Sequence, residues 1–357
     1  MLYLEGNELI AEGFLQRPPK IKFKTINTHR TLRNVNGRKK ILEISKGDLQ
    51  DNAVWFMRQA GRYLPEYESQ KKGRTFLEML KDPSTITRIS SLPLNYLEVD
   101  AIVIFTDILI PFTKLGYAVS YENGISVKEG NKEDFDYYAP LSKALGKISE
   151  DHGEKTIVGV VGGPFTTLSY LYDQGKSGYR RSKEVLASGE GGVLKELTEE
   201  ILEFARVQVE AGADIIQIFD SWLGGVSENY YTDHLERNEK YFVEKVKELG
   251  KPVIFFSEGA SHLYPKFIEL RPEVFSIDWR MSIDGFGEIC KDCVVQGNLD
   301  PHLLGTDDEY LKSETSRIMD QGRRVKGHIF NLGHGVLPWT DWRKLAMVAK
   351  EVHAYEG

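Results

Sequence analysis

The chain has 357 residues, of which 41% are hydrophobic and 28% are charged, and its formal net charge is −7. This composition is that of a globular protein with a large core, and it excludes disordered and fibrous chains. A mildly acidic chain lacks the basic footprint of a general nucleic-acid binder, so no nucleic-acid partner is expected. No run of about 18 apolar residues occurs, so no membrane partner is expected either.

The first part of the chain differs in charge from the rest. Residues 14–42 hold nine Lys or Arg and no Asp or Glu. Residues 1–37 are therefore predicted to form a basic N-terminal arm, either a solvated and partly disordered segment or a polyanion-binding tail. No apolar core of a secretion signal is present, and Glu5, Glu8 and Glu12 are atypical of an organellar presequence.

After the arm, the sequence RKKILEISKGD predicts a helix, and eight short apolar or β-branched segments follow. Most of these segments are continuously apolar, which is typical of parallel strands that are buried on both faces. They are residues 53–57, 100–105, 156–161, 214–219, 252–256, 274–278, 293–297 and 328–332.

Sequence compatible with helices lies between these segments. In residues 191–213 and 232–250 the apolar positions recur at the spacing of an amphipathic helix. Residues 120–155 look instead like a polar excursion, and no linker rich in Pro, Gly or Ser follows. The alternation predicts one α/β domain over residues 38–357. A (β/α)8 TIM barrel is favoured, with a doubly wound parallel sheet as the alternative.

Polar or glycine-rich residues follow every one of the eight segments. Active sites of such barrels lie at the C-terminal ends of the strands, so these residues are predicted to meet in one site. They are Arg58 to Arg62, Thr106 and Asp107, Gly162 to Pro164, Asp220 to Trp222, Ser257 to Gly259, Trp279 and Arg280, Asn298 to Pro301, and Gly333 to Gly335.

Two of these residues, Arg58 and Arg62, are arginines four positions apart in WFMRQAGRYLPEY. In a helix this spacing would place both guanidinium groups on one face, where like charges repel weakly. Two interpretations stay open on the residues alone. The arginines are either solvated surface side chains or donors that are held ready for an anion.

Four further residues allow both a structural and a functional interpretation. Asp107 could cap a helix or place a carboxylate at the edge of a dry interior. Ser221 allows the same capping role, and Tyr170 has the spacing of a half-buried core residue. His334 stands between two glycines, which let a backbone approach a ligand closely, although a structural role is equally open.

The two cysteines of the chain, Cys290 and Cys293, form a Cys-x-x-Cys pair at the start of the seventh segment. No second pair and no histidines at ligand spacing accompany them, so a structural or incidental role is favoured and no metal site is predicted. Two cysteines make no disulfide framework, and a reducing, cytoplasmic location fits best. Nucleotide-binding motifs are absent.

Five motifs occur in order over residues 53–335: WFMRQAGRYLPEY, IFTDIL, FDSW, VQGNLDP and FNLGHG. Together they resemble the uroporphyrinogen decarboxylase family, over most of the chain except the basic arm. The resemblance implies a single-domain barrel, usually a homodimer, that acts in haem biosynthesis. It implies removal of the four acetate carboxylates of uroporphyrinogen III to give coproporphyrinogen III, with no metal and no organic cofactor.

The resemblance also implies which residues act. Asp107 would be the ionised catalytic partner of the pyrrole N–H groups, and Arg58 a catalytic proton donor with solvent as its rival. The substrate carries eight carboxylates, and the guanidinium fork of an arginine matches a carboxylate in two parallel hydrogen bonds. The implied substrate-binding residues are Arg58, Gln59, Ala60, Gly61, Arg62, Asp107, Tyr170, Ser221 and His334.

Two positions depart from the family pattern. Lys71 stands near a position where an arginine is common, and Glu258 stands where a lysine is frequent, so propionate binding there is expected to differ. Two alternatives from other classes stay open. A cobalamin-dependent methyltransferase is disfavoured because His262 has no zinc-binding cysteine beside it. A tetrapyrrole-binding protein without turnover would use the same scaffold.

Overall fold

The computed structural model describes residues 39–121, 124–130, 134–176, 178–189 and 192–357. The predicted basic arm, residues 1–37, lies outside the described residues, so both of its proposed roles stay predictions.

A curled parallel sheet of seven strands forms the centre of the fold, and two further strands form an antiparallel hairpin. In the described residues the strands are β1 (Ala101–Val103), β2 (Tyr117–Ser120), β3 (Ser126–Glu129), β4 (Thr156–Gly162), β5 (Ile215–Phe219), β6 (Val253–Phe256), β7 (Val274–Ser276), β8 (Val294–Leu299) and β9 (Gly327–Leu332). The neighbour order in the sheet is β1-β4-β5-β6-β7-β8-β9. This order never reverses, unlike that of a doubly wound sheet.

Helices occupy most of the connections between the strands. They are α1 (Lys40–Ser45), α2 (Tyr67–Lys71), α3 (Phe76–Leu80), α4 (Pro83–Ser91), α5 (Pro111–Lys114), α6 (Tyr138–Asp151), α7 (Pro164–Asp173), α8 (Arg180–Ala187), α9 (Gly192–Glu210), α10 (Glu228–His234), α11 (Glu236–Lys247), α12 (Tyr264–Ile268), α13 (Ile283–Ile289), α14 (Asp308–Gly322) and α15 (Trp342–Ala354). No helix in the described part of the chain combines the length and the apolar character needed to cross a membrane.

Seven of the eight predicted strand segments form strands of the parallel sheet, and the first one, residues 53–57, does not. In the described residues its strand pairing is one isolated parallel bridge between Val54 and Phe330. Regular pairing on its other side is interrupted because the Val54 N–H donates to the Asp100 carboxylate (2.8 Å) instead of to a backbone carbonyl. The predicted complete (β/α)8 barrel is therefore not shown, whereas the α/β class with a curled parallel sheet is.

The predicted helices are found, with one break. The segment RKKILEISKGD contains α1, and residues 191–213 contain α9. Residues 232–250 were expected to form one helix, but α10 and α11 meet at Leu235, whose φ and ψ are −120° and −38°. Leu235 leaves the helical conformation while its side chain is buried in the core. The polar excursion contains β3, part of β2, and α6.

The interior of the sheet explains why the strand segments are continuously apolar. Every residue of β4, β8 and β9 is buried. One group of polar side chains inside is paired: Gln296 accepts a hydrogen bond from Trp55 Nε1 (2.9 Å) and donates to Gln217 (3.1 Å) and Ser276 (2.9 Å). Buried amides that are matched in this way cost little stability. The parallel pairing then brings the C-terminal ends of the strands to one edge of the sheet.

Candidate active site

A pocket of about 490 Å³ opens at the C-terminal ends of the strands. The structure brings all the residues implied by the family resemblance to its walls, although their roles in binding and catalysis stay predictions. These residues are Arg58, Gln59, Ala60, Gly61, Arg62, Asp107, Tyr170, Ser221 and His334.

Arg58 and Arg62 line the pocket from a run of turns, because the helix considered for this stretch is not formed and α2 begins only at Tyr67. Arg58 has a φ of 60°, in the left-handed region that ends the extended segment before it. A Cβ on Gly335 would lie 2.5 Å from Arg58 Cδ, so the glycine lets the arginine pass over that loop. Both arginine side chains are exposed.

Gln59 differs from its two charged neighbours because its side chain serves the scaffold. The amide is buried, donates to the Ala101 carbonyl (2.9 Å) and accepts from the Phe56 N–H (3.1 Å). The Gln59 carbonyl accepts from the Tyr63 hydroxyl (2.5 Å). These three bonds tie the turn that carries the arginines to β1.

Asp107 lies immediately before a turn at residues 108–110 and accepts a hydrogen bond from the Leu109 N–H through Oδ1 (2.9 Å). The following helix α5 has Ile110 at its N-cap position, with no side-chain cap. Asp107 therefore stabilises the turn before the helix instead of capping the helix, and the bond from Leu109 occupies one carboxylate oxygen.

The electrostatic surroundings of Asp107 combine opposing effects. Burial raises its pKa, whereas the Leu109 N–H, the Tyr121 hydroxyl and the Arg58 guanidinium lower it. The Tyr121 hydroxyl faces this carboxylate without the geometry of a formed hydrogen bond, and burial together with Asp107 raises its own pKa. The positive charge of Arg58 thus favours the ionised form of a carboxylate that burial disfavours.

Tyr170 and Ser221 approach the pocket from α7 and from the end of β5. Burial and the charge of Asp107 raise the pKa of Tyr170 to about 12, and its ring centroid lies 4.4 Å from that of Trp222. The Ser221 carbonyl accepts from the Glu258 N–H (3.0 Å), which joins the chain after β5 to the chain after β6.

The capping role considered for Ser221 is performed by Ser227, which accepts from the Tyr230 N–H (3.2 Å) at the start of α10, while Asp220 serves another helix. The buried Asp220 carboxylate accepts from the N–H groups of Phe165 (3.2 Å) and Thr166 (2.8 Å) in the first turn of α7. A Cβ on Gly163 would lie 2.1 Å from Asp220 Cβ, so only glycine permits this approach.

A second buried acid, Glu239 on α11, lies against Asp220. Neither Glu239 oxygen has a hydrogen-bond partner of standard geometry among the described residues. Burial, followed by the charge of Asp220, raises the pKa of Glu239 well above its usual value. We did not predict this pair from the sequence. The available signal was the position of Glu239 on the apolar face of its helix, between the buried residues Leu235 and Phe242.

A network of charged groups surrounds His334 at the pocket edge. His334 Nε2 lies 3.6 Å from Glu258 Oε2. Arg280 donates to the other Glu258 oxygen (3.1 Å) and to the buried Asp278 (2.5 Å). Asp278 also accepts from the Gly259 N–H (2.6 Å). Glu258 is therefore held between an arginine and a histidine, as one member of a connected network.

Aromatic walls are the main feature of the pocket that sequence reasoning missed. Aromatic residues in apolar segments are expected to lie in the core, so nothing in the sequence pattern distinguished the pocket-lining ones from core residues. They are Trp55, Tyr63, Tyr67, Phe76, Phe105, Phe219 and Phe256, and they join Trp222, which the strand-end pattern had included. Lys71, considered as a substitute for a family arginine, is not among the lining residues.

The residues considered for metal binding lie elsewhere. Cys290 and Cys293 form a disulfide immediately before β8, at the edge of the sheet opposite the pocket. His262 Nε2 hydrogen-bonds the Val226 carbonyl (2.8 Å). Among the described residues, no cluster of three His, Cys, Asp or Glu is suited to hold a metal ion.

Comparisons with known proteins identify the family of the chain. A family model for uroporphyrinogen decarboxylase matches residues 37–355. The uroporphyrinogen decarboxylases of Aquifex aeolicus and Picrophilus torridus are 34% and 36% identical to this chain. Each alignment covers 85% of this chain, and they cover 93% and 94% of the respective relatives.

A solved methyltransferase from Methanosarcina mazei has a TM-score of 0.72 and covers 88% of this chain and 97% of its own, at 17% identity. This likeness shows a shared fold alone. The family match and the sequence identity of the two relatives show more than a shared fold. The chain belongs to the uroporphyrinogen decarboxylase family of carboxy-lyases.

Proposed function

We propose that this protein removes carbon dioxide from the four acetate side chains of uroporphyrinogen III to give coproporphyrinogen III, without a metal or an organic cofactor. The observation that carries the proposal is the combination of Asp107 with Arg58 and Arg62 in one aromatic-walled pocket. A central carboxylate suits pyrrole N–H groups, and arginines that have no carboxylate partner among the described residues suit an octa-acid.

Decarboxylation requires an acceptor for the electron pair of the breaking C–C bond. Protonation of the pyrrole carbon beside the acetate-bearing carbon makes the ring a cation, which accepts that pair. The substrate then supplies the electron sink that a cofactor supplies in other enzymes. Loss of carbon dioxide leaves an exocyclic methylene group, and a second protonation makes the methyl group.

Asp107 is proposed to accept the pyrrole N–H bonds and to stabilise the cation. A preorganised charge aimed at the charge that develops in a transition state is often the largest contribution to catalysis. The bond from Leu109 fixes the Asp107 carboxylate in advance, because it holds Oδ1 at 2.9 Å from the Leu109 nitrogen.

Arg58 and Arg62 are proposed to bind acetate or propionate carboxylates at the rim, with Tyr170, Ser221 and His334 completing it. Arg58 is also a candidate proton donor, with solvent as its rival. A guanidinium group with a pKa above about 12 is a poor acid near neutrality, which weakens that candidate.

We infer three further features with this function. Residues 53–57 take the place of the eighth barrel strand, since the Trp55 N–H donates to Phe330 (3.3 Å) while the Val54 carbonyl accepts from Asp100 (2.8 Å). The family resemblance supports a homodimer and a cytoplasmic location. Light scattering on the purified protein tests the dimer.

Anaerobic incubation with chemically reduced uroporphyrinogen III tests the function. We expect stepwise loss of four carboxylates, unchanged after dialysis against a strong chelator. Binding of the octa-acid without turnover would favour the tetrapyrrole-binding alternative. Activity that is lost on chelation and restored by zinc would contradict the cofactor-free reaction.

A further inference from the structure

The proposed reaction needs a proton donor that neither arginine supplies well, and the pocket contains a better acid. Among the residues that line it, His334 is the one imidazole. An unperturbed imidazole titrates near neutrality, so it can both give and take a proton under the conditions of the reaction.

His334 lies in a position to exchange protons with a ligand. Its side chain is 27% exposed, on the pocket wall. The distance of 3.6 Å between His334 Nε2 and Glu258 Oε2 exceeds hydrogen-bond range, so the Nε2–H is not committed to that carboxylate. The edge of the Trp279 ring packs beside the imidazole, with centroids 6.4 Å apart.

Five interactions set the charge of His334, and together they lower the pKa of the imidazole. Burial is the largest and lowers the pKa of the imidazole, and the positive charges of Arg58 and Arg280 lower it further. The carboxylate of Glu258 and a hydrogen bond to the Gly335 backbone raise it. Glu258 is thus the negative charge in this set that favours the imidazolium form.

Glu258 is held in place for this role. Its Oε1 accepts from Arg280 (3.1 Å), which is itself anchored on the buried carboxylate of Asp278. The Arg280 guanidinium also stacks over the Trp279 ring at 4.1 Å. A carboxylate bound at one oxygen by a fixed arginine keeps its other oxygen directed at His334.

We propose, resting on the function proposed above, that His334 is the acid that protonates the pyrrole ring and that Glu258 is the positioning residue that favours the charged form of His334. The imidazolium Nε2–H bond breaks while a C–H bond forms at the ring carbon beside the acetate-bearing carbon. The C–C bond to the carboxylate then breaks, carbon dioxide leaves, and the electron pair forms the exocyclic methylene group.

The remaining steps return the site to its starting state. A solvent proton adds to the methylene carbon to make the methyl group and regenerates the ring cation. The neutral His334 imidazole then removes the proton that it had placed on the ring carbon, which restores the pyrrole and the imidazolium. One solvent proton is consumed for each carbon dioxide released.

The test is the pH dependence of turnover in the parent protein, Glu258→Gln and His334→Asn. An acid acts only while protonated, so the rate should fall as pH rises through the His334 pKa. Without Glu258 the imidazolium is less favoured, so this fall should move to lower pH in Glu258→Gln. In the pH range where the rate falls, Glu258→Gln should lose roughly three- to ten-fold more of its rate than it loses at acidic pH. This is the effect expected of one half-exposed charge pair.

A readout without turnover distinguishes this inference from the function on which it rests. The His334 resonance, assigned by its loss in His334→Asn, can be titrated by NMR in the parent and in Glu258→Gln. Glu248→Gln removes an exposed carboxylate that pairs with Lys245 and serves as the matched control, with no change expected in either measurement.

Each outcome bears on one proposal. A titration and a rate limb that both move in Glu258→Gln support the His334 acid. A parent protein that turns over the substrate, combined with an unmoved limb or near-parental kcat in His334→Asn, overturns it while leaving the decarboxylase proposal intact. A parent protein without turnover removes the decarboxylase proposal itself.

Discussion

The two ends of the parallel strands use charged residues differently. At the N-terminal ends, carboxylates are consumed in pairing. Asp214 accepts from the Ile157 N–H (2.8 Å) and from Lys39 (2.5 Å), and Asp100 accepts from the Val54 N–H (2.8 Å) and from His353 (2.8 Å).

At the C-terminal ends, Arg280 is paired with Asp278 and Glu258, but two guanidinium groups are left available. Within the described residues, neither Arg58 nor Arg62 forms an ion pair or a side-chain hydrogen bond, although Arg58 interacts electrostatically with Asp107. Paired carboxylates that bind backbone N–H groups contribute to stability, whereas unpaired guanidinium groups around a pocket contribute to binding. Substitutions at the two ends should therefore have separable effects.

The largest separable effect is expected from the arginines. Arg62→Gln should weaken binding of the octa-acid roughly 10²-fold, and Arg62→Lys about 10-fold, because lysine keeps the charge but loses the bidentate fork. Folding stability should not change, since no bond to Arg62 is lost. Calorimetric titration checks the affinity, and unchanged affinity in both variants would show that Arg62 does not bind a substrate carboxylate.

Asp214→Ala should have the opposite effect, a loss of folding stability without a loss of activity. It removes the acceptor of the Ile157 N–H and the partner of Lys39, which should cost about 1–3 kcal/mol of unfolding free energy. The rate of turnover at low temperature should stay near that of the parent, because Asp214 lies at the other end of the strands. A denaturant titration measures the loss of unfolding free energy. A turnover rate that also falls strongly would contradict the separation between the two ends of the strands.

Glu239→Gln tests the comparison at the C-terminal ends of the strands. Among the described residues, the buried Glu239 has no cation beside it. The folded-state pKa of Glu239 is raised. The protonated side chain therefore makes its full contribution to folding stability below the unfolded-state pKa of about 4.3. It is lost as pH rises through the folded-state pKa. Glutamine avoids this loss.

The variant should therefore be more stable than the parent at neutral pH and should match it in acid. Thermal midpoints measured across pH check this, and a difference that is independent of pH would contradict the assignment. The raised pKa of Glu239 follows from burial and, after it, from the charge of Asp220.

The smallest effect is expected at the disulfide. Cys290 and Cys293 are three residues apart, so their bond closes a very short loop and restricts the unfolded chain little. The Cys290→Ser, Cys293→Ser double variant should keep parental kcat and lose at most about 1–2 kcal/mol of stability. Activity that disappears with the disulfide would contradict the placement of the pair away from the site.

The sequence was informative wherever function lies at strand ends. The position of Asp107, Ser221 and His334 after apolar segments predicted that they would meet, because parallel strands end at one edge. The sequence could not show that the Gln59 amide hydrogen-bonds to the backbone of Ala101 and Phe56, since the bond to Ala101 joins distant segments.

The missing eighth strand and the network around Glu258 have the same origin. The Val54 N–H is taken by a side chain 46 positions away, and Arg280 reaches Glu258 across 22 positions. Hydrophobic periodicity reports which face of an element is buried, but it carries no information about such side-chain partners. The family resemblance identified the pocket residues, and the structure added the partners that orient them.

The central claim is that Asp107 stabilises a pyrrole cation, and kcat of Asp107→Asn tests it most directly. Asparagine can still accept the bond from the Leu109 N–H, so folding stability should change little. Loss of the negative charge should lower kcat roughly 10²–10³-fold, the range for removal of one preorganised stabilising group. Substrate affinity should fall much less, because the carboxylates are proposed to be bound by the arginines instead. Near-parental kcat in a stably folded Asp107→Asn would contradict the mechanism and leave Asp107 with its structural role in the turn.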